Sequence, residues 1–131
     1  MRPIAALTMA MSFLAGHSAN AQTTAPDYYI EALFAVSTAE QLANFCPRVG
    51  LDLQATNEAS EALLVRLRED GIEGDAILAL GGVEAGVVAL QDAFVETHGL
   101  SQPTEELLCD AAAAEIADGT VVGQYLTKAA Q

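Results

Sequence analysis

Two cysteines, Cys46 and Cys109, and the histidine His98 are the residues of this chain beyond its first twenty-one with the reactivity to carry chemistry. A thiolate beside a histidine is a nucleophile. Two thiols can trade electrons with a disulfide, and two oxidised thiols make an inert staple. The spacing speaks against metal, because neither cysteine belongs to a Cys-x-x-Cys pair and His98 has no second histidine near it. Ser37, Ser60 and Ser101 lie in no Gly-x-Ser-x-Gly elbow. The acidic run Glu69-Asp70-Gly71-Ile72-Glu73-Gly74-Asp75 lacks the alternating ligands and terminal glutamate of a calcium loop. Gly81-Gly82 is followed by no phosphate-loop lysine and preceded by no strand pattern. No acid, base and oxyanion set converges in the sequence, so no catalytic residue, metal or cofactor is expected. Two alternatives stay open: a hydrolase whose site assembles only in three dimensions, and a thiol-redox protein. His98, in the last turn of a helix, is favourably placed beside its negative end, a structural reading.

The fate of the two thiols depends on where the chain resides. Met1-Arg2 gives a positive start, Ile4 to Ala15 is apolar but for Thr8 and Ser12, and Ala19-Asn20-Ala21 has the Ala-x-Ala form that signal peptidase accepts. The expectation is a signal peptide over residues 1–21, cleavage between Ala21 and Gln22, and one helical domain over 22–131, exported to the periplasm or secreted. The apolar run is too short for a membrane span, and no later stretch supplies one. Outside the cytosol a Cys46–Cys109 disulfide forms and persists. It closes a loop of about 64 residues, worth roughly 4 kcal/mol of chain entropy.

Beyond residue 21 the basic residues are Arg48, Arg66, Arg68 and Lys128, against 18 acidic ones, a formal charge of −14. Phosphate backbones and anionic membranes need the opposite sign, so nucleic acid is excluded as a partner. A solvated acidic surface or a basic protein partner remains.

The elements that must position the cysteines read as helices. A first helix starts near Pro26-Asp27, and Ile30, Leu33, Phe34, Leu42 and Phe45 form an apolar stripe that Cys46 continues. Pro47 breaks it. A second helix runs from about Arg48 or Leu51 to Asp70, with Leu53, Thr56, Ser60, Leu63, Leu64 and Leu67 inward. Asp75 caps a short third helix from Ala76 to about Leu80. A fourth spans Val83 to His98, with Val87, Leu90, Phe94 and Val95 inward; whether it is separate from the third stays open. Thr104 starts a fifth that runs to about Ala117, with Leu107, Leu108, Ala112 and Ile116 facing the core and Cys109 close to that face. A short last helix follows through Val121, Val122, Tyr125 and Leu126. Gln22 to Pro26 and the tail to Gln131 are expected to be loose, and no strand is expected. Gly82 with Gly86, and Gly119 with Gly123, open strips where a helix can approach closely, with a protein partner as the alternative occupant. The fold class is all-α, an irregular bundle of four to six helices stapled by one disulfide.

The stretch Cys109-Asp-Ala-Ala-Ala-Ala-Glu115-Ile116-Ala117-Asp118-Gly119-Thr120-Val121-Val122-Gly123-Gln124-Tyr125-Leu126 resembles the C-terminal signature of a family of domains of unknown function, small exported proteins of Rhodobacter-like alphaproteobacteria. Leu33-Phe34-Ala35-Val36 followed by Cys46 is similar to that family's first helix and first cysteine. The resemblance spans roughly Ile30 to Leu126. It implies an exported helical domain that keeps both cysteines, and no activity. Ala43, Asp52, Ala113 and Asp118 stand where relatives often carry arginine, so an arginine-built anion site is not carried over. The functional expectation is a structural or protein-binding role.

Overall fold

The computed structural model describes residues 22–129. The expected signal peptide, with Ala19 and Ala21, lies outside them, and Gln22 is the first residue described. Five α-helices are present among the described residues: α1 Asp27–Phe45, α2 Leu53–Glu69, α3 Asp75–Leu78, α4 Val83–His98 and α5 Glu105–Asp118.

Local signals account for their ends. Pro26, held at φ −63°, sets the entry to α1, and Cys46 leaves it in extended conformation ahead of Pro47. The Asp52 carboxylate accepts the Ala55 N–H at 2.9 Å, and the Thr104 hydroxyl accepts the Leu107 N–H at 3.2 Å, so α2 and α5 are capped by side chains. Gly99 and Gly119 close α4 and α5 at φ 64° and 61°, a left-handed turn that only glycine makes without strain. The third and fourth helices are separate, divided by buried Leu80 and the Gly81-Gly82 pair. The third begins at Asp75, one residue earlier than expected, and the Asp75 side chain makes no cap bond.

α1 is the central element, packed on α4 and α5. Phe34, Ala35, Thr38, Ala39 and Leu42 are its buried residues, a single helical face. They meet Cys109, Ala111 and Ala112 of α5 and are flanked by Val87, Leu90 and Phe94 of α4. The alanines let α1 and α5 come close, and at that contact Cys46 and Cys109 are joined, with their Cα atoms 5.1 Å apart.

Several expectations need correction. The chain holds a small antiparallel ribbon, β1 Val49–Leu51 with β2 Leu126–Lys128, paired Val49↔Lys128, Gly50↔Thr127 and Leu51↔Leu126. Pro47 frees the backbone from helix, and three-residue strands are too short to show alternation. The short last helix is one 3₁₀ turn, Gly123–Tyr125, leading directly into β2. As far as Ala129 the tail is tied down, since the Ala129 N–H donates to the Arg48 carbonyl at 2.9 Å, and the remainder to Gln131 lies outside the described residues. The start is tied down too: Thr24 bridges Gly81, and Ala25 is buried.

α2 was expected to bury a full stripe. Instead Leu67 is its one buried residue, while Ser60 is exposed and Leu53 and Leu64 are 69% and 51% exposed. The helix diverges after β1, and its periodicity describes a face that this chain does not cover. Phe45, Val95 and Leu107 are likewise exposed at the rims of their helices.

The glycine spacing has an internal cause. A Cβ at Gly86 would lie 2.8 Å from the Ile30 side chain, where α4 meets α1. A Cβ at Gly123 would fall 2.0 Å from the Glu115 carbonyl oxygen. These two contacts occupy the strips considered above for a partner. Gly123→Ala must displace backbone and should lower the unfolding free energy by about 2–3 kcal/mol. Gly86→Ala meets side chain and not backbone, and although the Ile30 branch is stiff in a helix, alanine's helix preference of about 1 kcal/mol offsets part of the strain. Urea unfolding of both variants with the disulfide intact checks the ranking.

Candidate functional site

Cys46 is fully buried and Cys109 is 3% exposed, and no cysteine is free. α1 delivers Cys46 from its last turn; α5 delivers Cys109 on the face shared with Ala112. A nucleophilic thiol beside His98 therefore has no sulfur to use while this bond is closed.

His98 has a different partner. Its Nε2 lies 2.7 Å from Glu115 Oε1, and the two side chains are 14% and 12% exposed. The ring packs on Phe94, with centroids 4.5 Å apart. The other carboxylate oxygen, Oε2, accepts the Thr120 hydroxyl, and Thr120 Oγ1 accepts the Gly123 N–H at 3.1 Å. Glu115 and Thr38 are the buried polar or charged residues among those described.

The chain His98–Glu115–Thr120–Gly123 joins the end of α4, the last turn of α5 and the start of the 3₁₀ turn. A carboxylate that orients a histidine is half of a hydrolytic triad. Here the Thr120 hydroxyl sits on the other carboxylate oxygen and not on the imidazole, so the three are not arranged as a nucleophile, base and orienting acid. None of the three residues lines any of the three principal cavities among the described residues. The chemistry it supports is cohesion: a largely enclosed polar network in which each member has a partner.

His98 was correctly placed at the C-terminal end of its helix. Glu115 was missed as its partner. The available signal was register, because Glu115 follows Ala111 and Ala112 by four and three positions, on the helix face that Cys109 shares.

A second stitch joins α1 to α2. The Arg66 guanidinium lies over the Tyr28 ring, 3.8 Å from its centroid, and the Tyr28 hydroxyl donates to Asp70 Oδ2 at 2.5 Å. Desolvation first, then the hydrogen bond and the negative charge of Asp70, raise the Tyr28 phenol above its ordinary range. Tyr29 and Tyr125 are half-buried.

Two cavities deserve description by their walls. One of about 310 Å³ lies between α1, α4 and the α4–α5 connection, floored by Leu42, Phe94, Leu100 and Leu108, with Asp92 in its lining. A shallower one of about 210 Å³ lies between the end of α2 and α3, lined by Leu64, Ile72 and Ile77 with Arg68 and Glu73. No cluster of three His, Cys, Asp or Glu residues capable of holding a metal ion occurs among the described residues, and no described helix is long and apolar enough to cross a membrane.

Removing the buried carboxylate strands two half-buried partners, His98 and Thr120. Glu115→Ala should therefore destabilise by about 2–3 kcal/mol, and Thr120→Val by about 1 kcal/mol. Glu115→Gln should fall between them, because the amide still bonds to one neighbour. Denaturant melts at fixed pH give the order. Reduction of the disulfide should lower the unfolding free energy by roughly 4 kcal/mol, read by the same melts with and without dithiothreitol.

Searches against characterised proteins and against solved structures find no match. A protein-family model, described as a family of unknown function (DUF5333), matches residues 22–127. That span runs from the first described residue into β2 and takes in both cysteines, His98, Glu115 and Thr120, so the chain belongs to the DUF5333 family.

Proposed function

We propose that this is a small exported protein that acts by holding a basic protein partner rather than by catalysis. The observation that carries the reading is the uncovered apolar surface where α2 runs into α3. Leu64 and Val65 are half exposed and Leu78 is 88% exposed. Leu64, Ile72 and Ile77 form the walls of the shallow cavity between the two helices. Apolar side chains gathered into one exposed patch mark a contact surface, and these residues lie on or beside one cavity.

The chemistry of the partner follows from the rim. Glu73 lines the cavity beside the apolar residues, Glu69, Asp70 and Asp75 flank it in sequence, and the one cation in the cavity lining, Arg68, is paired with Glu73 at 3.6 Å. An acidic rim around an apolar floor suits a basic amphipathic segment: lysine or arginine meets the rim while its apolar side chains fill the floor. Export is supported by the leader-like residues 1–21 and by a buried disulfide, which oxidising compartments maintain.

Mass spectrometry of the protein recovered from the extracytoplasmic fraction should show Gln22 as its first residue. A photo-activatable residue in place of Leu78 should give one discrete adduct with a basic protein. That adduct should weaken at high salt and vanish in a Leu64→Ser, Ile77→Ser background that still folds. An adduct insensitive to that background, or none, would overturn the partner reading.

A further inference from the structure

We propose that the cleft beneath the β1–β2 ribbon binds a carboxylate-terminated acyl chain. This goes beyond the partner surface just described and does not depend on it.

Cations are scarce here, so their placement carries information. Of the four beyond residue 21, Arg66 stacks on Tyr28 and Arg68 pairs with Glu73. The other two, Arg48 and Lys128, come together at one cleft of about 310 Å³, whose remaining walls are Val49, Cys109, Ala113, Ile116 and Ala129.

The ribbon brings them together. Lys128 is the cross-strand partner of Val49, and the Ala129 N–H bonds to the Arg48 carbonyl. Directly opposed residues share a face of a ribbon, so the lysine stem lies on the side where Val49 is buried, with its ammonium at the mouth. α5 supplies one side through buried Cys109 at the floor, half-buried Ile116 and exposed Ala113, whose small side chain leaves the cleft open. Apart from the two cations, every lining side chain is apolar. Below the two cations the side chains thus offer no hydrogen bonds to a sugar or a base and favour an apolar tail. The volume lies at the small end of the range of ligand pockets.

Charge selects the head group. Arg48 lies 3.6 Å from Asp110, with side chains 59% and 66% exposed, a contact that contributes little and exchanges readily. Two cations and one carboxylate leave about one positive charge at the mouth, which suits a monoanion better than a phosphate dianion. A carboxylate can take the arginine fork in two parallel bonds, with Asp110 swinging into solvent.

The test uses the full mature chain with its disulfide closed, and decanoate held below its micelle concentration. Decanoate should bind saturably by calorimetry, and the amide signals of Cys109, Ala113 and Ile116 should shift. Decyltrimethylammonium and acetate should each bind at least tenfold more weakly. Arg48→Gln with Lys128→Gln, both exposed and outside the core, should weaken decanoate tenfold or more with the circular dichroism unchanged. Ala113→Leu, which fills the cleft and keeps the charge, should abolish binding. Arg68→Gln should change nothing. Equal binding of the ammonium amphiphile, equal binding of acetate, or an undiminished affinity in the double variant would each overturn the proposal, and none of them bears on the α2–α3 surface.

Discussion

The contact of α1 with α5 is the constraint on which the rest of this molecule depends. It is made of small residues, Ala35 and Ala39 facing Ala111 and Ala112, and it is closed by the Cys46–Cys109 bond. Small side chains allow close approach but bury little apolar area each, so such an interface gains less from the hydrophobic effect than one built of leucines. A domain of this size has a limited core to begin with. The covalent link compensates from the other direction, by restricting the unfolded chain.

The disulfide also determines where the ribbon can form. Cys46 is the last point of α1's trajectory, and β1 begins three residues later. With that point held against α5, Val49 covers the α5 face around Cys109, and β2 returns to pair with it. The far end of α5 is held by different means, the His98–Glu115–Thr120 network and the tight seat of Gly123 on the Glu115 carbonyl. One helix is thus fixed covalently near its start and by polar contacts at its end. The 3₁₀ turn and β2 are carried between the two fixings, which is why the residues up to Ala129 are held in place although their sequence gives no such signal.

How much of this was legible in the residues follows from the kind of signal each element gives. α1, α4 and α5 are rich in helix-forming residues and stop at or just before proline or glycine, so their existence and boundaries could be read. The approach of the cysteines could be argued from the stripe on which each lies. The ribbon could not, because three residues cannot display a period of two. Nor could the exposure of α2, since an apolar stripe states that a face prefers to be covered without stating by what. Glu115 escaped because glutamate is nearly always solvated, and only the fold shows that its turn of α5 is enclosed by His98 and Thr120. The charged residue that tertiary structure buries is the one that composition assigns to the surface.

The electrostatics of the whole chain give the acyl-binding cleft its selectivity. A formal −13 produces a field that repels anions at a distance, yet at ordinary ionic strength that field decays within about 10 Å. Arg48 and Lys128 act inside this range. Nucleic acids and anionic bilayers present many charges over distances longer than the screening length, so they meet the acidic surface as a whole. A single carboxylate on an apolar tail meets only the mouth of the cleft, where the local sign is reversed, and it leaves the solvent for a floor that offers no competing polar group. The same excess of acid that turns polyanions away costs a small monoanion little, so a strongly acidic protein can hold an anionic amphiphile, provided its few cations are gathered by the backbone into one place.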